Sequence, residues 1–210
     1  MDGRNSAASQ DGPPPTPAED PSAGAKMALR DQLGTARHRI PLAVVAERSA
    51  EIAEHVLAAP EVRRAASVAA YVSIGHEPGT GLLIERLHAA GKRVLLPIVL
   101  PDLDLDWAWY AGPDSLVRAR MGLLEPSGPR RGVEAIGTPD AVLVPGVAVD
   151  RHGMRMGRGG GCYDRALGRV PVGTFVCALL YASEVLAEVP HTDHDRPVTA
   201  VATEIGITRF

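Results

Sequence analysis

Lysine is almost missing from this 210-residue chain: of 22 basic residues, only Lys26 and Lys92 are not arginine. Cysteine is equally scarce. Cys162 and Cys177 are too few for a disulfide framework, and no Cys-x-x-Cys pair is present for zinc or redox chemistry. Two reduced thiols in a cytoplasmic protein are the expectation. No apolar run approaches the length needed to cross a bilayer, which argues against a membrane protein. The N-terminus lacks the basic-then-apolar pattern of a secretory signal. A basic excess is missing too: 22 bases stand against 25 acids, for a net charge of −3, which argues against a dedicated nucleic-acid binder. What remains is ordinary globular composition, 45% hydrophobic, and a length that suits one domain or at most two small ones. Nothing in the sequence points to an obligate protein partner.

Residues 1–24 hold five prolines, few apolar residues and no periodicity. Such a stretch buries too little to offset its ordering entropy, so a disordered extension is expected there, with a folded domain over 25–210. The extension carries four acids and one base, so the whole net charge of −3 belongs to it. From Lys26 to Ile40 a basic helix is expected, with apolar positions at Met27, Leu29, Leu33 and Ile40. Residues 42–59 repeat apolar positions every three or four and read as an amphipathic helix stopped by Pro60. Short apolar stretches at 67–74, 93–96, 141–144 and 172–180 read as buried strands. A less buried strand is expected at 105–110 and a last one at 199–205 within an otherwise irregular tail. Helical signal lies at 82–90, 113–119, 162–167 and 183–187. Strands alternating with helices predict an α/β fold with a largely parallel sheet flanked by helices. In such sheets ligands gather beyond the carboxyl ends of the strands, here the loops after Ile74, Val149 and Leu180.

The densest chemical signal runs from Asp150 to Arg169. Five glycines fall between Gly153 and Gly161, among five arginines and two aspartates, a local excess of +3. Glycines let backbone approach an anion and adopt positive φ. Consecutive N–H groups can then converge on phosphate oxygens, assisted by a helix start near Cys162. Arg155 and Arg158 offer forked, permanently charged donors. The loop is not a Walker loop, since Gly161 is followed by Cys162 and Tyr163, and it lacks the dinucleotide-binding glycine pattern. A glycine-rich surface turn with solvated arginines is the plainer alternative. His191 and His194 with Asp193 and Asp195 have the residue types of a metal cluster, but His-x-x-His in a loop is a weak zinc signal.

The run Val144–Leu167, VPGVAVDRHGMRMGRGGGCYDRAL, resembles the signature of the 5-formyltetrahydrofolate cyclo-ligase (5,10-methenyltetrahydrofolate synthetase) family. Pro145, Gly146, Asp150, Gly153, Arg155, Gly157, Gly159, Gly161, Tyr163 and Asp164 match. Val149, Met156 and Cys162 depart from it, Cys162 replacing an aromatic ring. The resemblance continues, in family order, through Lys26-Met-Ala-Leu-Arg30, Tyr71–Glu77 with Thr80, Gly122–Pro126, Val189–Asp195 and Thr203-Glu204. Glu184 stands where the family often has Gln.

The resemblance implies a single domain in three layers, like sugar-phosphate isomerases and CoA-transferases. It implies ATP- and Mg²⁺-dependent cyclisation of 5-formyltetrahydrofolate to 5,10-methenyltetrahydrofolate, with ADP and phosphate as co-products. It further implies that Lys26, Arg30, Arg155, Gly157, Arg158, Gly159, Gly160, Gly161, Cys162, Tyr163 and Asp164 bind ATP. Of these, Lys26, Arg155 and Arg158 would act in phosphoryl transfer. Glu77, Tyr71 and Val72 would bind the folate, with the Trp107/Trp109 region offering further apolar surface. Asp164 and Asp195 would hold Mg²⁺. Read locally, Lys26 is more often a solvated lysine, Glu77 a surface carboxylate, and the two tryptophans packing residues. A non-catalytic folate- or nucleotide-binding relative, or an isomerase or transferase on a similar fold, are the rival readings. ATP turnover that requires 5-formyltetrahydrofolate separates them.

Overall fold

A computed structural model describes residues 21–192 and 195–210. The chain starts with three helices, α1 (Pro21–His38), α2 (Leu42–Ala58) and α3 (Pro60–Arg64). Helix α1 begins inside the segment expected to lack structure. Residues 1–20 of that expectation lie outside the described residues. Pro60 does end α2, but its fixed φ also suits the first turn of α3, so a second helix follows at once.

A seven-stranded sheet forms the centre. Its strands are β1 (Ser67–Ala69), β2 (Arg93–Val99), β3 (Leu105–Trp109), β6 (Ala141–Pro145), β9 (Phe175–Leu179), β11 (Ala200–Thr203) and β12 (Gly206–Arg209). The spatial order is β12-β11-β9-β6-β1-β2-β3. The five inner strands run parallel, and β3 and β12 close the two edges antiparallel. Alternate residues bury opposite faces, as the pleat requires. Val94, Leu96 and Leu143 meet Ile52 and Val56 of α2 and Leu83 and Leu87 of α4 (Gly81–Ala89). Leu95, Val142 and Val144 meet Ile136 and the Ala166–Leu167 end of α5 (Cys162–Leu167). Each fully buried aliphatic side chain contributes about 1.5–3 kcal/mol. Helices therefore cover both faces, giving the expected three layers.

The order places a switch point between β1 and β6. The chain leaves β1 through α4 on one face and leaves β6 towards α5 on the other, opening a crevice beyond their carboxyl ends. Small elements wall it: the hairpin β4 (Leu116–Arg118)–β5 (Leu124–Pro126), and a three-stranded sheet of β7 (Ala148–Asp150), β8 (Arg155–Met156) and β10 (Val185–Leu186).

Several expectations are corrected. The strand over 67–74 keeps three residues, because the chain beyond Ala70 pairs with loop side chains instead of another strand. Ser73 N–H donates to Thr80 Oγ1 at 2.9 Å, and the Thr80 hydroxyl donates to Tyr71 O at 2.6 Å. Strand β3 is buried on both faces, since residues 127–132 fold back along it: Arg131 N–H donates to Trp107 O, and Gly132 N–H to Asp106 Oδ1. The helix expected at 113–119 is one 3-10 turn followed by β4, and that at 183–187 is a 3-10 turn, Ala182–Glu184, followed by β10. The tail adds β12, not an irregular end.

Gly153 closes the turn after β7 at φ +80°, and a Cβ there would stand 2.4 Å from Val198 O. Gly153→Ala is expected to cost about 2–4 kcal/mol of stability, from backbone strain plus the clash. Urea unfolding checks this.

Candidate active site

The glycine loop is anchored before it begins. Asp150, at the end of β7, is buried and accepts N–H bonds from His152 (2.8 Å), Met154 (3.1 Å) and Val189 (3.2 Å). These bonds turn the chain into β8, which pairs back on β7. Arg155 then points inward and is only 2% exposed. Its Nη2 donates to Asp164 Oδ1 at 2.7 Å and its Nη1 to Pro145 O at 3.3 Å. One guanidinium thus ties the end of β6 to the first turn of α5, with the loop arched between. Gly159 (φ +103°) and Gly161 (φ +67°) supply the left-handed turns that this short arch needs.

Helix α1 closes the arch from outside. Its least exposed positions are Lys26 (9%), Leu33 (8%) and Arg37 (5%), whereas Met27, expected on the apolar face, is 63% exposed. Lys26, Arg30, Leu33 and Arg37 recur at spacings of four, three and four, so they form one stripe. The buried face of this helix is mostly cationic. Arg30 Nε donates to Gly157 O at 2.8 Å. Lys26 Nζ meets Asp195 Oδ2 at 2.5 Å, an oxygen that also accepts Thr192 N–H at 2.7 Å. Arg37 grips Glu184 through Nε (2.5 Å) and Nη2 (2.7 Å), and Nη2 also donates to Gly146 O. Glu184 is therefore neutralised by Arg37 and borders neither cavity described next. The sequence marks Arg37 only through its helical register with Lys26 and Arg30.

Two cavities share the loop as a wall. The first, about 190 Å³, is largely apolar: Tyr71, Val72 and Ile74 line one side, Pro97, Val99 and Leu105 another. Glu77 and Arg158 supply charge there, with Arg158 Nε 3.2 Å from Glu77 Oε1. Tyr71 Oη and Arg155 Nε, both in this wall, are buried polar atoms with no hydrogen-bond partner among the described residues. The second, about 580 Å³, is charged, lined by Lys26, Arg30, Asp164, Arg165, Arg169 and Asp195 among others. Gly157, Gly159, Gly161 and Asp164 face both.

The expected residues thus divide. Tyr71, Val72 and Glu77 line the apolar cavity, and so do Arg155, Arg158, Gly160, Cys162 and Tyr163 from the expected ATP set. Lys26 and Arg30 line the charged one. Trp107 and Trp109 line neither, which corrects that expectation. Trp107 is inside the core, and Trp109 lies under the guanidinium groups of Arg93 (4.8 Å) and Arg131 (5.5 Å). Leu123–Glu125 and β2–β3 complete the apolar wall. No local signal pointed to the β2–β3 residues, because only the sheet order brings them there.

Charge states follow burial and partners. Burial pushes the Glu77 carboxyl up, opposed by the Ile74 N–H that it accepts and by the Arg158 charge. Burial and the nearby Glu77 charge push the Tyr163 hydroxyl up. Burial also pushes Asp195 up, but the Lys26 ammonium and Thr192 outweigh it and hold the carboxyl below the ordinary aspartate range. Asp193 and His194, two of the four residues in the metal-type cluster, lie outside the described residues. Among the described residues no three His, Cys, Asp or Glu side chains converge as a metal cluster.

A folded-state pKa below the unfolded value stabilises above the unfolded pKa of about 3.9 and fades as pH falls through the folded one. Asp195→Asn is therefore expected to be less stable than the parent at neutral pH. The difference should vanish at pH values well below 4, as read by thermal unfolding across pH.

Comparison with known proteins shows the family. A model of the 5-formyltetrahydrofolate cyclo-ligase family matches residues 22–204. The 5-formyltetrahydrofolate cyclo-ligase of Mycolicibacterium smegmatis is 40% identical over 183 residues, covering 85% of this chain and 93% of the relative. That of Escherichia coli K12 is 33% identical over 165 residues, covering 75% and 88%. The solved 5,10-methenyltetrahydrofolate synthetase of Aquifex aeolicus superposes with a TM-score of 0.76 at 28% identity, covering 88% of this chain and 92% of that one. The chain belongs to the 5-formyltetrahydrofolate cyclo-ligase family and is, with it, a ligase acting on a folate.

Proposed function

We propose that this ligase cyclises 5-formyltetrahydrofolate to 5,10-methenyltetrahydrofolate with ATP as co-substrate, releasing ADP and phosphate. The observation that carries the reading is the shared glycine wall, apolar on one side and cationic on the other. A flat, largely apolar heterocycle and a polyanion can each have a side and meet across Gly157–Gly161. The two unpartnered groups, Tyr71 Oη and Arg155 Nε, suit a ligand rich in acceptor oxygens.

The formyl oxygen on N5 is a poor leaving group because amide resonance holds it. Transfer of the γ-phosphoryl group to that oxygen forms an O–P bond and breaks the bond from the γ-phosphorus to ADP. N10 then attacks the formyl carbon, and the C–O bond breaks to release phosphate, which carries away the proton that N10 loses. The protein's task is positioning and charge stabilisation. Lys26 and Arg30 hold the triphosphate, and the loop N–H groups of Gly157–Gly161 approach it where no side chain intervenes. Glu77 accepts from the pterin, while Tyr71 and Val72 pack on it. Arg155 keeps the arch in register and offers its free Nε to a ligand oxygen.

Asp164 and Asp195 are the pair that would hold magnesium. Both border the charged cavity, and a hard cation shared between one or two carboxylates and phosphate oxygens is the usual magnesium arrangement. Each carboxylate already bears a cation, Arg155 or Lys26, so the site is built for exchange between fixed charges and phosphates. Bound there, the metal would neutralise phosphate charge. The free thiols of Cys162 and Cys177 suit a cytoplasmic setting for this activity.

The near-ultraviolet absorbance of the methenyl product tests the reading. It should rise with 5-formyltetrahydrofolate only when ATP and Mg²⁺ are both present. No product under any of these conditions would sink the proposal. Lys26→Ala removes one charge-assisted contact, worth about 1.5–3 kcal/mol, and so should raise the apparent KM for ATP roughly ten- to a hundredfold. The KM for the folate should change far less. Steady-state kinetics in both substrates checks the split.

A further inference from the structure

We infer that Arg158 is a shuttle that couples the two ligand sites, masking Glu77 while the folate site is empty and turning to the nucleotide when the folate arrives. The inference rests on the assignment of the two cavities to folate and ATP.

Four observations carry it. Arg158 belongs to the glycine arch, yet its side chain lines the apolar cavity, while its neighbours Gly157 and Gly159 line both. Its Nε contacts Glu77 Oε1 at 3.2 Å. The two partners differ sharply in burial: the Glu77 side chain is 6% exposed and that of Arg158 56%. Finally, the arginine sits between two glycines, one of them at φ +103°.

Together these describe a releasable contact. A buried carboxylate needs a partner. Ile74 N–H supplies one hydrogen bond to Glu77 at 3.0 Å, and Arg158 supplies the nearby charge. Arg158 needs Glu77 far less, since more than half of its side chain already meets water. Compare Arg37, buried and gripping Glu184 through two nitrogens. Releasing Arg37 would strand two charges, whereas releasing Arg158 strands only Glu77. A pterin that donates N–H groups to Glu77 removes that one obstacle. The freed guanidinium then has only its own loop to cross to reach the phosphates. Folate binding would thereby strengthen nucleotide binding, and by linkage the reverse holds equally.

The test is calorimetric, using 5-formyltetrahydrofolate and the β,γ-imido analogue of ATP with Mg²⁺, singly and together. Saturating folate should tighten the analogue about tenfold, within the ordinary range of coupling between sites. Arg158→Met should reduce that gain to twofold or less. Glu77→Gln should tighten the analogue several-fold without folate, because Arg158 is no longer held. A purely structural role cannot produce that gain at the other site. Both ligands binding with equal affinity alone and together would overturn the shuttle while leaving the site assignment intact. Failure of either ligand to bind at all would overturn both.

Discussion

The geometry of this enzyme hangs on the buried Arg155 guanidinium. It bridges the carbonyl of Pro145 at the end of β6 and the carboxylate of Asp164 in α5. Both anchors are fixed by the core: β6 lies mid-sheet, and α5 packs its Ala166 and Leu167 against it. The loop between them has no freedom to spread and must arch. Gly159 and Gly161 take the left-handed turns that the arch needs, and a Cβ at Gly157 would stand 2.9 Å from Arg155 Nη1, so glycines cluster at 157–161. The arch then becomes a wall one backbone thick. Two cavities can share such a wall only because no side chain fills it from Gly159 to Gly161.

The second organising feature is charge held inside the molecule. Without residues 1–24 the chain has 21 bases and 21 acids. Part of that balance is held in specific pairs around the crevice: Lys26 with Asp195, Arg37 with Glu184, Arg155 with Asp164, Arg158 with Glu77. They differ in commitment. Arg37–Glu184 is buried, and Gly146 O and Tyr181 N–H hydrogen-bond the pair further, so it locks α1 to the loop after β9. Breaking one partner of such a pair commonly costs about 3–5 kcal/mol. Lys26–Asp195 and Arg155–Asp164 instead border a cavity. The same kind of bond therefore occurs both locked in the interior and at a cavity wall, separated by access to solvent.

Much of this was legible in the chain. The alternation of apolar strands with helical segments specified an α/β sheet, and the glycine-arginine run marked the loop that walls both cavities. Both are local patterns, and local patterns report local backbone preference. The errors have one physical origin. Ser67–Ile74 reads as one strand because its residues are apolar and β-branched, yet propensity does not say where a neighbour stops offering hydrogen bonds. Leu116–Arg118 looked helical until pairing with Leu124–Pro126 made it a strand. Helix α1 was read from its apolar residues, but its buried face is set by the carboxylates waiting beneath it.

The sequence by itself determined the fold class, the position of the glycine-rich loop and the family, because periodicity, glycine content and residue order are written along the chain. Only the tertiary structure decided which side of the loop each group occupies. Arg158 on the apolar side, Lys26 on the charged side, Arg37 locked and Trp107 in the core all follow from the sheet order and from contacts up to 169 residues apart. Side-chain partnership across such distances depends on packing two faces of a sheet at once, and no window of sequence contains both faces.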